Sequence, residues 1–392
     1  MTRTVTRWKD LDHAEREDAA DRAAEALRRG DLVVMPTETV YGLAAAANSP
    51  EALAMLDDAL GGSSLRPRSG PPRTWHAASS AEVERAAALP TPVHRRLIRR
   101  LLPGPVRFVL EQNDAEMASA RDLIGVEPGV VDDGEQLAVR VSAHPAARMI
   151  AERAGVPIVA ERLGAARFSG AIGSGGGIDE DALQAAGAGF RIAEVIDDGP
   201  LTPGVPSTTV TLLRSGAFDV AGDGALREAD VMAALERRIV FICTGNTCRS
   251  PMAEAIARGL ASQRPEDGIS YVFESAGVAT GIGLPPTPEA VDAVAGMGLD
   301  LSGHKTQRAG PGIVRRAERI YVMTLSHLDH LVSVIPEAAE KAFLLDPAGG
   351  AVDDPIGGPP ELYVQTAGAM RDMIAARLNE LDAELAPREG DG

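Results

Sequence analysis

Apolar runs and amphipathic stretches alternate along the whole chain, and their spacing predicts an α/β protein. Residues 18–29 are rich in Ala, Glu and Arg at helical spacing, which predicts an amphipathic helix. Leu32-Val33-Val34-Met35 follows as a short apolar run, the pattern of a buried strand. A second such run, Ile239-Val240-Phe241-Ile242, leads through a stretch of small and polar residues into a helix-like segment, Met252 to Leu260. Between the regular segments, Ser63 to Pro72 and Gly173-Ser174-Gly175-Gly176-Gly177 read as loops. Residues 225–237 read as a closing helix and short linker, and Glu384 to Gly392 as a frayed tail. The linker divides the chain into domains at 1–236 and 237–392.

The turn after the second apolar run carries the strongest chemistry. It reads Cys243-Thr244-Gly245-Asn246-Thr247-Cys248-Arg249-Ser250-Pro251. A strand, a tight loop and a helix in that order aim backbone N–H groups and a helix N-terminus at one point, which binds an anion and phosphate above all. Residues 244–250 thus form a phosphate cradle. Cys243 at its start is a candidate nucleophile, because helix N-termini and nearby cations favour the reactive thiolate. Arg249 offers a planar fork able to grip two phosphate oxygens. Ser250 suits an N-cap, Pro251 a first helical position, and the Ser250 hydroxyl can donate to the Cys243 sulfur. The expected reaction is in-line attack by Cys243 on phosphorus, giving a phosphocysteine that water hydrolyses. The leaving group needs a proton, and Asp354-Pro355, in the loop-like Val352 to Gly358, supplies a candidate general acid in Asp354, with Asp353 as a neighbouring competitor.

This second half resembles the low-molecular-weight protein phosphatase family over roughly residues 237–385. The match runs through the loop, Ser275-Ala276-Gly277, His304-Lys305, Met323-Thr324 and Asp354-Pro355. The resemblance implies a small parallel sheet with helices on both faces. It also implies that Asn246, Ser275 and His304 form a hydrogen-bond network supporting the loop. Tyrosine-specific members carry a bulky apolar residue at the position of Thr247 and aromatics after the Asp-Pro pair. Here Thr247 is small and polar, and Ile356-Gly357-Gly358 offers no ring to stack on a phenol. The loop threonine and the Asp-Pro-x-Gly-Gly pattern look like the bacterial protein-arginine phosphatases, although Ile356 replaces a ring frequent among them. Phosphoarginine is therefore favoured over phosphotyrosine, with phosphorylated proteins as partners and no cofactor for the phosphatase.

Composition adds bounds. The chain has 392 residues, 45% of them hydrophobic and only 3% aromatic, so its cores are aliphatic. The net charge of −17 is spread over both halves and argues against general nucleic-acid or anionic-membrane binding. The two cysteines, Cys243 and Cys248, both lie in the loop. They either form a reversible bond that shields the nucleophile, or Cys248 packs against the helix. No apolar stretch reaches the ~20 residues of a membrane span, and no apolar region follows Met1 to Arg7, so a cytoplasmic protein is expected. His327 and His330 can share a helix face, but with no third ligand they read as surface histidines and no metal is expected.

The first half resembles the YrdC-like family, the threonylcarbamoyl-AMP synthases, over roughly residues 15–235. The match runs from Pro36-Thr37-Glu38-Thr39-Val40-Tyr41-Gly42-Leu43 through Leu102 to Pro105, Leu137 to Ser142, Ala143-His144-Pro145, Asp197-Asp198-Gly199 and Pro206 to Val210 to Arg214-Ser215-Gly216-Ala217. It implies a twisted mixed α/β sheet around a cationic nucleotide pocket, with Thr37, Thr39, Tyr41, Arg140, Ser207 and Arg214 as its candidate residues and ATP as its candidate ligand. Two motifs are eroded. Leu60 to Arg68 has no lysine where the family's Lys-x-Arg is expected, leaving Arg66 or Arg68 as substitutes. Ala165-Ala166-Arg167-Phe168-Ser169-Gly170 lacks the family's first serine and its asparagine, and Ser142 stands where proline is usual. The domain thus keeps the fold with its synthase chemistry lost or changed. Threonylcarbamoyladenylate synthesis, and a ligand-sensing role that tunes the phosphatase, remain as the alternatives.

Overall fold

The structure, a computed structural model, describes residues 3–61, 72–163, 168, 170–173, 175–222 and 224–386. It divides into two compact units, one ending at Ala234 and one spanning Leu235–Ala386. Arg66, Arg68, residues 164–167 and Ser169, on which the first domain's eroded motifs turn, lie outside the described residues.

The first unit is built on a ten-stranded mixed sheet. In spatial order its strands are Thr4–Arg7, Ile192–Asp197, Leu32–Pro36, Tyr41–Ala46, Ile158–Arg162, Trp75–His76, Gln136–Arg140, Val106–Glu111, Thr208–Leu212 and Phe218–Ala221. The run Leu32–Pro36 is buried along its whole length and pairs antiparallel with Tyr41–Ala46, Val34 facing Leu43. The predicted helix begins earlier than its apolar stripe, at His13, because Asp12 and Glu15 close a reciprocal capping box. Ala19, Ala20, Ala23 and Ala24 are fully buried on one face, so that His13–Arg28 packs closely on the helix Pro145–Ala154. The closing helix is Glu228–Ala234, and the expected linker is absent: Glu236 already belongs to the next strand.

The second unit has a four-stranded parallel sheet in the order Ser270–Gly277, Glu236–Cys243, Arg319–Val322, Ala342–Leu344. The alternation of the central strand splits its side chains between two cores. Ile239, Phe241 and Cys243 face the helices Arg249–Ala261 and Pro360–Ala383, whereas Val240 and Ile242 face Val314, Leu331 and Ile335. Cys243 therefore ends the strand on the side where the loop helix starts. That helix begins at Arg249 rather than after Ser250, and its N-cap, Cys248, makes no side-chain cap bond. The chain end is tied down as far as it is described: Glu384 pairs with Arg319 at 2.7 Å and Leu385 is buried.

Candidate active site

The loop after Cys243 is held in a conformation that costs energy. Asn246 has φ +55°, the left-handed region that non-glycine residues rarely occupy. Asparagine tolerates it best, and its side chain is here fully bonded. Asn246 Nδ2 donates to Ser275 Oγ at 2.9 Å and Ser250 Oγ at 3.0 Å, and its Oδ1 accepts from the Gln307 N–H at 2.9 Å. His304 Nε2 lies 2.9 Å from the Asn246 carbonyl. Burial lowers the His304 pKa, with the bond to that carbonyl opposing the shift. Gly277 makes the close approach of the neighbouring strand feasible, because a Cβ there would lie 2.6 Å from the Thr244 carbonyl oxygen and 3.1 Å from Asn246 Cβ.

Inside this frame Cys243 Sγ is buried, 3.0 Å from Ser250 Oγ, and accepts the Asn246 N–H at 3.2 Å. Ser250 thus serves the sulfur and Asn246 from within the helix instead of capping it. Arg249, also buried, forms an ion pair with Asp354 and donates to the Val352 carbonyl at 3.3 Å. Its Nε is buried without a hydrogen-bond partner, as is that of Arg140 in the first unit. Asp353 is exposed, and it is Asp354 that reaches Arg249. Cys248 and Cys243 are both free, and the Cys248 thiol points to Asp354 Oδ1 at 3.9 Å. Burial, with Cys243 close by, pushes the Cys248 pKa up to about 11, which keeps it a thiol. Thr247 is partly exposed on the loop and its carbonyl accepts the Thr287 N–H at 2.9 Å; Ile356 is exposed.

Three contributors escape a sequence reading. Glu254, itself buried, accepts from Ser275 Oγ at 2.5 Å, and its signal is a lone acid in the buried helical run Ser250 to Ala257. Gln307 donates its backbone N–H to Asn246 and its side-chain Nε2 to the Ser275 carbonyl at 2.9 Å, and no motif in the sequence marks it. His327 is not the surface residue expected: it is buried against Thr244 and Thr324, while His330 is exposed, so the two do not share a face. Among the described residues no group of three or more His, Cys, Asp or Glu side chains is placed to hold a metal, and no helix is long and apolar enough to cross a membrane.

In the first unit, Thr37, Tyr41, Arg140 and Ser207 line a cavity of about 290 Å³ together with His76, Arg107 and Arg162. Thr39 lies beneath, accepting from Arg140 Nη2 at 2.9 Å. Arg214 is not brought there; it pairs with Glu116, and its N–H donates to Glu111 at 2.8 Å. Arg140 is itself engaged by Glu38 at 2.8 Å, and Glu38 also accepts from Ser142 and the Ala143 N–H. The Tyr41 hydroxyl sits within 2.8 Å of Asp197 Oδ1 and accepts from the Asp198 N–H, so burial and that carboxylate raise its pKa.

A strand, a phosphate-type loop and a helix carrying Cys243, Arg249 and Ser250, with Asp354 arriving from a later loop, define a cysteine-loop phosphatase architecture. Known proteins divide the chain in the same way. Residues 238–388 match the family model described as low molecular weight phosphotyrosine protein phosphatase, and residues 25–220 match the Sua5/YciO/YrdC model described as telomere recombination. The protein-arginine-phosphatase of Bacillus subtilis (strain 168) is 33% identical over 151 residues, covering 38% of this chain and 95% of that protein. A low molecular weight protein-tyrosine-phosphatase of Streptomyces coelicolor is 37% identical over 131 residues, covering 30% of this chain and 76% of that protein. The threonylcarbamoyl-AMP synthase of Bacillus subtilis (strain 168) is 31% identical over 205 residues, covering 50% of this chain but only 53% of that protein. The chain belongs to both families, to the low molecular weight protein phosphatases through its second unit and to the Sua5/YrdC proteins through its first.

Proposed function

We propose that the second unit hydrolyses phosphoarginine in proteins through a phosphocysteine on Cys243. The observation that carries this reading is the convergence of Cys243, Arg249 and Asp354 on one loop whose threonine, Thr247, leaves room where a bulky residue suits phosphotyrosine. Likeness to the Bacillus protein-arginine-phosphatase supports it. The incoming phosphate exchanges with Asp354 on the Arg249 fork, which offers its unpartnered Nε as well. Cys243 Sγ forms a bond to phosphorus as the P–N bond breaks, and Asp354 gives its proton to the departing guanidino nitrogen. Asp354 then takes a proton from water, whose oxygen attacks phosphorus and releases the thiolate. Rapid quenching of the full chain with an aryl phosphate tests the intermediate. A phosphorylated Cys243 peptide is the expected product, and phosphate on any other residue, or none, would count against the mechanism.

The first unit, on this reading, keeps a ligand cavity. Its support is the space lined by Thr37, Tyr41, Arg140 and Ser207, and likeness to the synthase over half of that protein's length. Calorimetry on the full chain with ATP, AMP and threonine tests it, and no heat from any of the three would leave the cavity without its ligand. Adenylate formation from ATP, threonine and bicarbonate would instead restore the synthase alternative.

A further inference from the structure

We propose that His327 is a positioning residue for the phosphate loop: by its hydrogen bond to Thr244 it fixes the turn next to Cys243, and with it the peptide N–H groups that bind the transferring phosphoryl group. The inference rests on the phosphatase reading of the loop.

The loop has two flanks. Its rear is fastened by Asn246, through Ser250, Ser275, Gln307 and His304. Its front begins at Thr244, immediately after the nucleophile, where Thr244 Oγ1 lies 2.8 Å from His327 Nε2. The other ring nitrogen, Nδ1, lies 2.8 Å from Thr324 Oγ1, and Thr324 caps the helix Leu325–Val334 by accepting the His327 N–H. Thr324 follows the strand Arg319–Val322, which pairs with the strand leading to Cys243, Val322 opposite Ile242. The imidazole thus braces the loop's first turn against the end of the adjacent strand.

The ring's chemistry suits the place. A neutral imidazole has one donor and one acceptor, and a hydroxyl at each nitrogen satisfies either tautomer. His327 is 5% exposed, whereas Thr244 is exposed and Thr324 half-buried, so the ring is the buried member of two part-buried bonds. Burial and the nearby Arg249 push its pKa down to about 4, so the ring is neutral near pH 7 and adds no second cation beside the phosphate clamp. Backbone donors act on a transition state only when aimed to a fraction of an ångström, and a loosened first turn costs rate more than ground-state affinity.

The test uses the full chain with an aryl phosphate, and orthovanadate and inorganic phosphate as inhibitors. Glutamine places a polar atom near the Nε2 position and asparagine near Nδ1, so the two separate the Thr244 contact from the Thr324 contact. His327→Asn and Thr244→Val are each expected to lower kcat by about 10-fold, with KM changed less than about threefold, and to weaken vanadate more than phosphate. His327→Gln should stay within about threefold of the wild type, and the His327→Asn/Thr244→Val pair should be no worse than either alone. Wild-type kcat in Thr244→Val, equal impairment of the Gln and Asn variants, or multiplying losses in the pair would overturn the proposal. Thr244→Val decides the matter by itself should the histidine variants fail to fold by circular dichroism. A wild-type chain inactive on aryl phosphate would overturn the reading of the loop itself, an outcome distinct from active wild type with indifferent variants.

Discussion

Two polar sites on one chain, each with a buried arginine, differ in what that arginine is free to do. In the second unit Arg249 meets Asp354, a carboxylate on an exposed loop that can leave. In the first, Arg140 is held by Glu38, which is fastened in turn by Ser142 and the Ala143 N–H, and by Thr39 beneath it. Arg140 and Ser142 lower the Glu38 pKa against the opposing effect of burial, so this pair is maintained at neutral pH. Nε is buried and unpartnered in both arginines, so the contrast lies in the carboxylate: Asp354 sits on an exposed loop, whereas Glu38 is fastened by Ser142 and the Ala143 N–H. The lesson is that a retained motif residue is a functional group only when its present partner can be displaced.

The largest expected effect is that of Cys243→Ser, which removes the nucleophile beside Arg249. It should lower aryl phosphate turnover by roughly 10⁴-fold or more, since removing a nucleophile removes the covalent route; residual activity near wild type would place the chemistry elsewhere. Asp354→Asn should cost about 10²- to 10⁴-fold in kcat on phosphoarginine peptides. The loss should shrink with an aryl leaving group that departs without a proton, and equal losses on both substrates would refute the acid role. Thr247→Ile should move the ratio of phosphoarginine to phosphotyrosine kcat/KM towards tyrosine by about 10-fold, a change of 1–2 kcal/mol for one pocket side chain. An unchanged ratio would separate specificity from this position.

The smallest effect concerns acid stability. Burial lowers His76 to about 3, and His94 and His327 to about 4. Each binds a proton more readily when unfolded, so between those values and the ordinary 6.5 the unfolded chain holds more protons. Stability is therefore expected to fall in both units as pH drops from about 6.5 towards 4. Hydrogen exchange read by peptide can follow the units separately, and His327→Gln should flatten the slope only in residues 235–386. A flattened slope in the first unit as well would show that the assignment to one buried ring is wrong.

Much of the second unit was legible because its chemistry is local. Cys243, Arg249 and Ser250 lie within eight positions, and a strand–turn–helix pattern places them without knowledge of the rest of the fold. The support network at Asn246, Ser275 and His304 was legible only through the family resemblance. It was not legible at Gln307, which no motif marks although both its backbone and its side chain take part, or at His327, whose burial is set by the packing of the next helix rather than by its neighbours in sequence. Helix ends shifted for the same reason: His13 and Arg249 start their helices because of capping and site hydrogen bonds, not apolar periodicity. In the first unit, Arg214 shows the limit of reading by motif. It follows the other family matches in order, yet it is engaged by Glu111 and Glu116 and does not line the cavity.

On the proposed reading, the loop from Cys243 to Pro251 serves phosphoarginine. A side-by-side determination of kcat/KM for the full chain on matched phosphoarginine and phosphotyrosine peptides tests it most directly. A preference for phosphoarginine of about 10-fold or more is the predicted result; equal rates, or a preference for phosphotyrosine, would contradict it.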